Sequence, residues 1–141
     1  YVVFCSNPGD ILKAGFFNIN KKIIHVHPGK LPEFRGSTPY YYQILKNKEI
    51  TFTSLSMDLE LDKGEPILFE TQKLKEIKKE NLTFFDEVYD PYLRGKILAK
   101  TLNLIVKNKV RRKFFQKIKK GSKAYFIIHP VLKFLSINRK V

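Results

Sequence analysis

The sequence predicts an α/β domain, with a mostly parallel sheet and flanking helices, on three observations. Two β-rich apolar runs, YVVFC at 1–5 and KIIHVH at 22–27, are separated by a helical pattern. Strand, helix, strand in that order implies a parallel pair joined by a right-handed crossover. A period-two run (ITFTSLSM, 50–57) and a second extended run (66–74) come next, and from residue 81 apolar residues recur at helical spacing. At 141 residues and 43% hydrophobic content, the chain is long enough for one domain with a real core and too short for two.

The opening run is apolar, β-branched and aromatic, so it reads as a buried strand with Cys5 inside it. It carries no initiator Met and no charged signal-peptide start, and the sequence is therefore expected to begin inside a longer chain. SNPG at 6–9 supplies a turn, and Asp10 is placed to favour the N-terminus of a short helix, DILKAGFF. The second strand stops at Pro28, whose ring removes a ladder donor. The segment PGKLPEFRGS, 28–37, holds two prolines and two glycines and is a loop. It feeds a helix capped at Ser37 or Thr38, with Pro39 in the first turn. DLELDKGE, between the two later extended runs, is longer than a tight hairpin, and such loops on a rigid sheet frequently carry function. Leu93, Ile97, Leu98, Leu102 and Ile105 share a helical stripe that Pro91 kinks or divides, with Asp90 and Arg94 as a capping or ion-pair feature. The tail is extended as far as Pro130 and then forms a short helix, with Tyr125 and His129 as packing residues.

Lys and Arg number 27 against 13 Asp and Glu, a net charge of +14. A field of that size attracts phosphates, although Lys scattered over helices and loops reads equally as a solvated surface. The dense basic run is KVRRKFFQKIKK at 109–120, a basic amphipathic helix or a phosphate-tracking segment. One cysteine excludes an internal disulfide framework and suits a reducing compartment, so a cytoplasmic location is expected. No stretch approaches the roughly 18 apolar residues of a membrane span, and no membrane partner is expected.

His25 and His27 stand two apart in a strand, so their side chains leave one face while Val26 takes the other. They sit at the strand's C-terminal end, the edge of an open α/β sheet where ligands bind. Two imidazoles with a carboxylate can serve proton transfer or ligate a metal, and the same pattern admits both.

HVHPGKLPEFRGSTP, followed at a distance by MDLELDKGEPIL, resembles the signature of the formyltransferase family. That family includes the glycinamide ribonucleotide, methionyl-tRNA and sugar N-formyltransferases and the formyl-tetrahydrofolate deformylases. In it the first motif reads Asn-x-His-Pro, and a later Leu-Asp-x-Gly turn completes an Asn, His, Asp triad. The resemblance implies that His27 and Asp62 are catalytic and that His25 occupies the asparagine position. It implies 10-formyltetrahydrofolate as co-substrate, with no metal. His27, held protonated or half-protonated by Asp62, would donate to the formyl oxygen, and Asp62 would help remove the amine proton. His25 would keep the donor that asparagine supplies and add a titration near neutral pH. Asp10, Ile11, Leu12 and Phe16, with Leu59, Leu61 and Gly64, fall where the family holds the pterin. Gly36 is expected to serve a turn of positive φ, with Arg35 beside it as a structural residue.

The resemblance further implies a partial Rossmann-like formyltransferase domain whose N-terminal half, with its glycine-rich acceptor loop, precedes Tyr1. Residues 1–108 would then be the C-terminal half of the catalytic domain, and 109–141 a basic helical and extended tail packing on it. A sheet cut this way leaves a raw edge, through which the chain is expected to associate with itself. The acceptor amine would belong to a sugar nucleotide or to methionyl-tRNA. A deformylase using water as acceptor and a non-catalytic basic module binding RNA or nucleotides are the alternatives.

Overall fold

The computed structural model describes residues 1–5, 10–60, 62, 64–73, 82–110 and 124–138. The expected turn at 6–9 and the basic run beyond residue 110 lie outside the described residues. Among the described residues, the elements are β1 (Val2–Val3), a 3-10 turn (Ala14–Asn18), β2 (Ile23–His27), α1 (Pro39–Asn47), β3 (Glu49–Ser56), β4 (Glu65–Lys73), α2 (Leu82–Phe84), a π-helical turn (Phe85–Tyr89), α3 (Asp90–Val106) and α4 (Pro130–Asn138).

The four strands lie in sequence order across one mixed sheet. β1 and β2 are parallel, as a crossover requires, whereas β2 with β3 and β3 with β4 are antiparallel. The α/β class stands, and the expectation of a mostly parallel sheet is corrected. The reason lies in the loop after β2. Thr53 Oγ1 donates to Gly29 O at 2.6 Å and accepts from Leu31 N–H at 3.2 Å, while Gln43 Oε1 accepts the N–H groups of Lys30 and Thr51. These bonds hold the loop at the edge where β2 ended, so α1 returns the chain to that same edge and β3 must run back alongside β2.

Period-two patterning then sorts the faces. His25 pairs with Leu55 and His27 with Thr53, while Val26 pairs with Ser54 on the opposite face. Val26, Ile50 and Phe52 form a core with Tyr40, Tyr41 and Ile44 of α1, Phe85, and Leu93 and Ile97 of α3. Thr101, one turn beyond Ile97, donates to Ser54 Oγ at 2.8 Å, so the helix keeps its register even where it meets a hydroxyl. Pro91 does not break the helix. The turn before it widens, with Asp90 N–H reaching Phe85 O, and the proline opens α3, where no donor is required of it.

Two local expectations are corrected by exposure. Among the described residues β1 lies at the edge of the sheet, with Val2, Val3 and Cys5 exposed where a buried strand was expected. The helix expected over 10–17 shrinks to the 3-10 turn, because Ile11 and Phe16 are left in solvent and gain nothing from an amphipathic face. At α1 the boundary is as expected and the chemistry is not. Thr38 precedes Pro39 in the left-handed region (φ 47°) with no capping bond, and its hydroxyl accepts Ile128 N–H at 3.0 Å instead. No helix among the described residues is long and apolar enough to cross a membrane.

Candidate active site

β2 delivers both imidazoles to the same face, and the loops around it determine what each can do. His27 is buried (3% exposed). Its Nε2 lies 2.9 Å from Phe34 O, and its Nδ1 lies 3.3 Å from Asp62 Oδ1. A backbone carbonyl only accepts, so Nε2 carries a hydrogen, and the Nδ1···Oδ1 contact closes through one proton held between ring and carboxylate. Burial lowers the His27 pKa, against the opposing pull of Asp62 and of the Phe34 carbonyl. Burial thus works against the imidazolium that Asp62 favours, and the Phe34 carbonyl occupies the ring nitrogen that would otherwise face a formyl oxygen. Both ring nitrogens are already engaged inside the protein.

Glycines make this closure possible. A Cβ on Gly29 would stand 2.1 Å from Phe34 O and 2.6 Å from His27 Nε2, so the carbonyl reaches the ring only because residue 29 has no side chain. Gly36, at φ +95°, donates its N–H to Asp62 Oδ2 at 2.7 Å. The tail holds Gly36 in turn. Tyr125 N–H donates to Arg35 O and Tyr125 O accepts Ser37 N–H, while the Tyr125 ring stacks on Phe34 at 5.6 Å. The sequence reading placed Gly36 in a turn and Tyr125 in packing, and missed that together they orient Asp62.

His25 has a different environment. Its Nδ1 lies 3.2 Å from Phe4 O, just beyond β1, and among the described residues its Nε2 has no hydrogen-bond partner. Burial lowers its pKa below 6.5, opposed first by the Phe4 carbonyl. His27 and the Arg94 guanidinium lower it further, and Asp62 raises it. The carbonyl fixes the neutral ring as the Nδ1–H tautomer, which leaves Nε2 a lone pair. The one N–H of the neutral His25 ring is thus directed to Phe4 O, and the other nitrogen accepts.

His25 and Asp62 both line a partly enclosed cavity of about 90 Å³. Asp10, Ile11, Leu12, Leu59 and Gly64, singled out from sequence, share its wall. Phe16 does not: it is 54% exposed, and Phe17 takes the lining position. Leu61 lies outside the described residues. Glu60 lines it beside Leu59, and Leu55, Met57 and Asp58 complete the wall unforeseen, although period two from His25 through its partner Leu55 carried the signal for Leu55 and Met57. Among the described residues, no three His, Cys, Asp or Glu side chains come together as a metal-binding group. Asp90 and Arg94 pair at 2.7 Å, with the Asp90 carboxyl pushed up to about 6 by burial against the pull of Arg94.

A methionyl-tRNA formyltransferase of Alkaliphilus oremlandii is 34% identical over 106 residues, 72% of this chain and 33% of the relative. The chain belongs to the formyltransferase family. It spans about a third of the length of the curated formyltransferases it matches. Two solved formyltransferases share the fold. A 4-N formyltransferase of Francisella tularensis superposes with a TM-score of 0.59 at 22% identity, over 92% of this chain and 57% of that one. A formyltransferase of Anoxybacillus kamchatkensis, solved with a UDP-linked formamido sugar and tetrahydrofolate, gives 0.54 at 22% identity, over 73% of this chain and 51% of that one. No family model matches this formyltransferase chain.

Proposed function

We propose that this chain carries the reacting centre of an enzyme that moves a formyl group from 10-formyltetrahydrofolate to an amine, with a sugar nucleotide or methionyl-tRNA as acceptor. The observation that carries the reading is the convergence of His25 and Asp62 on one cavity, backed by the buried His27–Asp62 pair. Attack of an amine on the formyl carbon puts negative charge on the formyl oxygen and leaves a proton to be removed from nitrogen. A cavity with an imidazole and a carboxylate on its wall suits the second task. Ile11, Leu12 and Leu59 give the same wall an apolar surface on which a pterin ring could lie. The tetrahydrofolate bound to the Anoxybacillus relative supports that choice of co-substrate. The lone Cys5 is a free thiol, which suits the reducing cytoplasm as the place of action.

The test is to supply the complete protein with 10-formyltetrahydrofolate and, separately, an amino-sugar nucleotide or methionyl-tRNA. Release of tetrahydrofolate in step with a formylated amine is expected with one of them. Formate with no formylated amine would make it a hydrolase instead, and no turnover with any acceptor would refute the reading.

A further inference from the structure

We infer that His25, through Nε2, is the general base that takes the proton from the attacking amine, and that His27 positions Asp62 on the cavity wall without itself exchanging protons with substrate. The inference rests on the formyl-transfer reading and assigns its proton path. Three observations point the same way. Both nitrogens of His27 are engaged, by Phe34 O and by Asp62 Oδ1, and His27 is absent from the cavity wall. His25 is on that wall, and the Phe4 carbonyl holds the hydrogen of its neutral ring at Nδ1. Among the described residues, Nε2 of His25 is then the uncommitted lone pair of the two rings.

The step balances without any further reactant. The amine nitrogen bonds to the formyl carbon and gives its proton to Nε2. The bond between that carbon and N10 of the folate then breaks as N10 takes the proton from Nε2, leaving a formamide and tetrahydrofolate. While it holds the proton, His25 is a cation beside the carbonyl oxygen that has gained charge, and Asp62 stabilises that cation in turn. A residue standing where the family has asparagine thus has the opposite polarity in its resting state: it accepts where the amide would donate.

Loss of activity on acidification follows. Burial, His27 and Arg94 depress the His25 titration, the Phe4 carbonyl and Asp62 oppose them, and Asp10, Asp58 and Glu60 share the cavity wall. Burial dominates, so the neutral base is the working form above pH 6.5 and the rate falls as acid protonates it below that value.

Two measurements on the complete protein test this. Long-range proton–nitrogen NMR of the histidine rings at neutral pH should show His25 with hydrogen on Nδ1 and none on Nε2. His25→Asn, which installs the family's residue, should bind tetrahydrofolate as the parent does, lower kcat by about 100-fold and remove the acid limb of the pH profile. A hydrogen on Nε2 of neutral His25, or a His25→Asn variant with parental kcat and acid limb, would overturn the assignment while leaving formyl transfer in place. The expected tautomer with no formyl transfer to any amine would instead sink the reaction and the base's role with it.

Discussion

The cluster at the end of β2 and the cluster around Asp86 are both built from buried rings about one carboxylate, yet they end in opposite states. At Asp86, the Tyr40 and Tyr41 hydroxyls both donate to Oδ1, and the Lys133 ammonium of α4 pairs with Oδ2. Burial pushes both phenols far up, which keeps them protonated and donating. The same physical cause acts on the imidazoles and pushes them down. A neutral phenol remains a donor, whereas a neutral imidazole always exposes one lone pair. Desolvation therefore closes the tyrosine cluster into a clamp joining α1, the π-helical turn and α4. Beside the cavity, it leaves an acceptor on His25. Burial alone does not mark a site; a ring nitrogen without a partner among the described residues, on a residue that lines a cavity, does.

The largest expected effect comes from disturbing the histidine side. Gly29→Ala puts a methyl group into the Phe34 carbonyl and the His27 ring, and neither is the end of a flexible side chain. The carbonyl must withdraw, His27 loses the acceptor that fixes its tautomer, and Asp62 loses its alignment. Formyl transfer should fall by about 100-fold or more, the scale for an ångström-sized misplacement of reacting groups. Overpacking should also cost about 2 kcal/mol of stability in urea melts. Retained activity would show that the His27–Asp62 pair is not needed to shape the cavity.

That glycine also shows what was legible in the sequence. Period two put His25 and His27 on one face, the resemblance of LDKG to the family's Leu-Asp-x-Gly turn named Asp62, and the start of α1 and the places of β3 and β4, each within one residue, followed from Pro39 and from alternation. What could not be read depended on partners distant in sequence. Whether YVVFC is buried depends on what covers it, and here nothing among the described residues does so at Val2 and Val3. Strand direction after β2 was decided by hydrogen bonds from Thr53 and Gln43 to loop backbone. The ring tautomers were decided by the carbonyls of Phe4 and Phe34, and a carbonyl has no letter in the sequence.

The tyrosine side should respond in stability and not in chemistry. Asp86→Ala removes one acceptor from Tyr40, Tyr41 and Lys133 together, leaving two mostly buried hydroxyls without it. A loss of about 2 kcal/mol in urea melts is expected, with tetrahydrofolate affinity and the pH profile of the folded protein unchanged. A shifted pH profile would mean that the two clusters are coupled, and the division drawn between them would fail.

The smallest expected effect lies at the seam between them. Thr38 hands its hydroxyl to Ile128 N–H, three residues after the Tyr125 backbone that holds Gly36. Thr38→Val keeps the shape and the β-branch, so the left-handed backbone at φ 47° is no more strained than before. Only the acceptor is removed. The cost should be about 1 kcal/mol, with little or none for Thr38→Ser, and the Ile128 amide should exchange with solvent faster in the valine variant alone. Because the described part of the tail reaches Asp62 through Gly36, a weakened seam should loosen the carboxylate before it disturbs the His27 ring. A fall in activity accompanying faster exchange at Gly36 would trace that path, whereas unaltered exchange at Ile128 would break it at its first link.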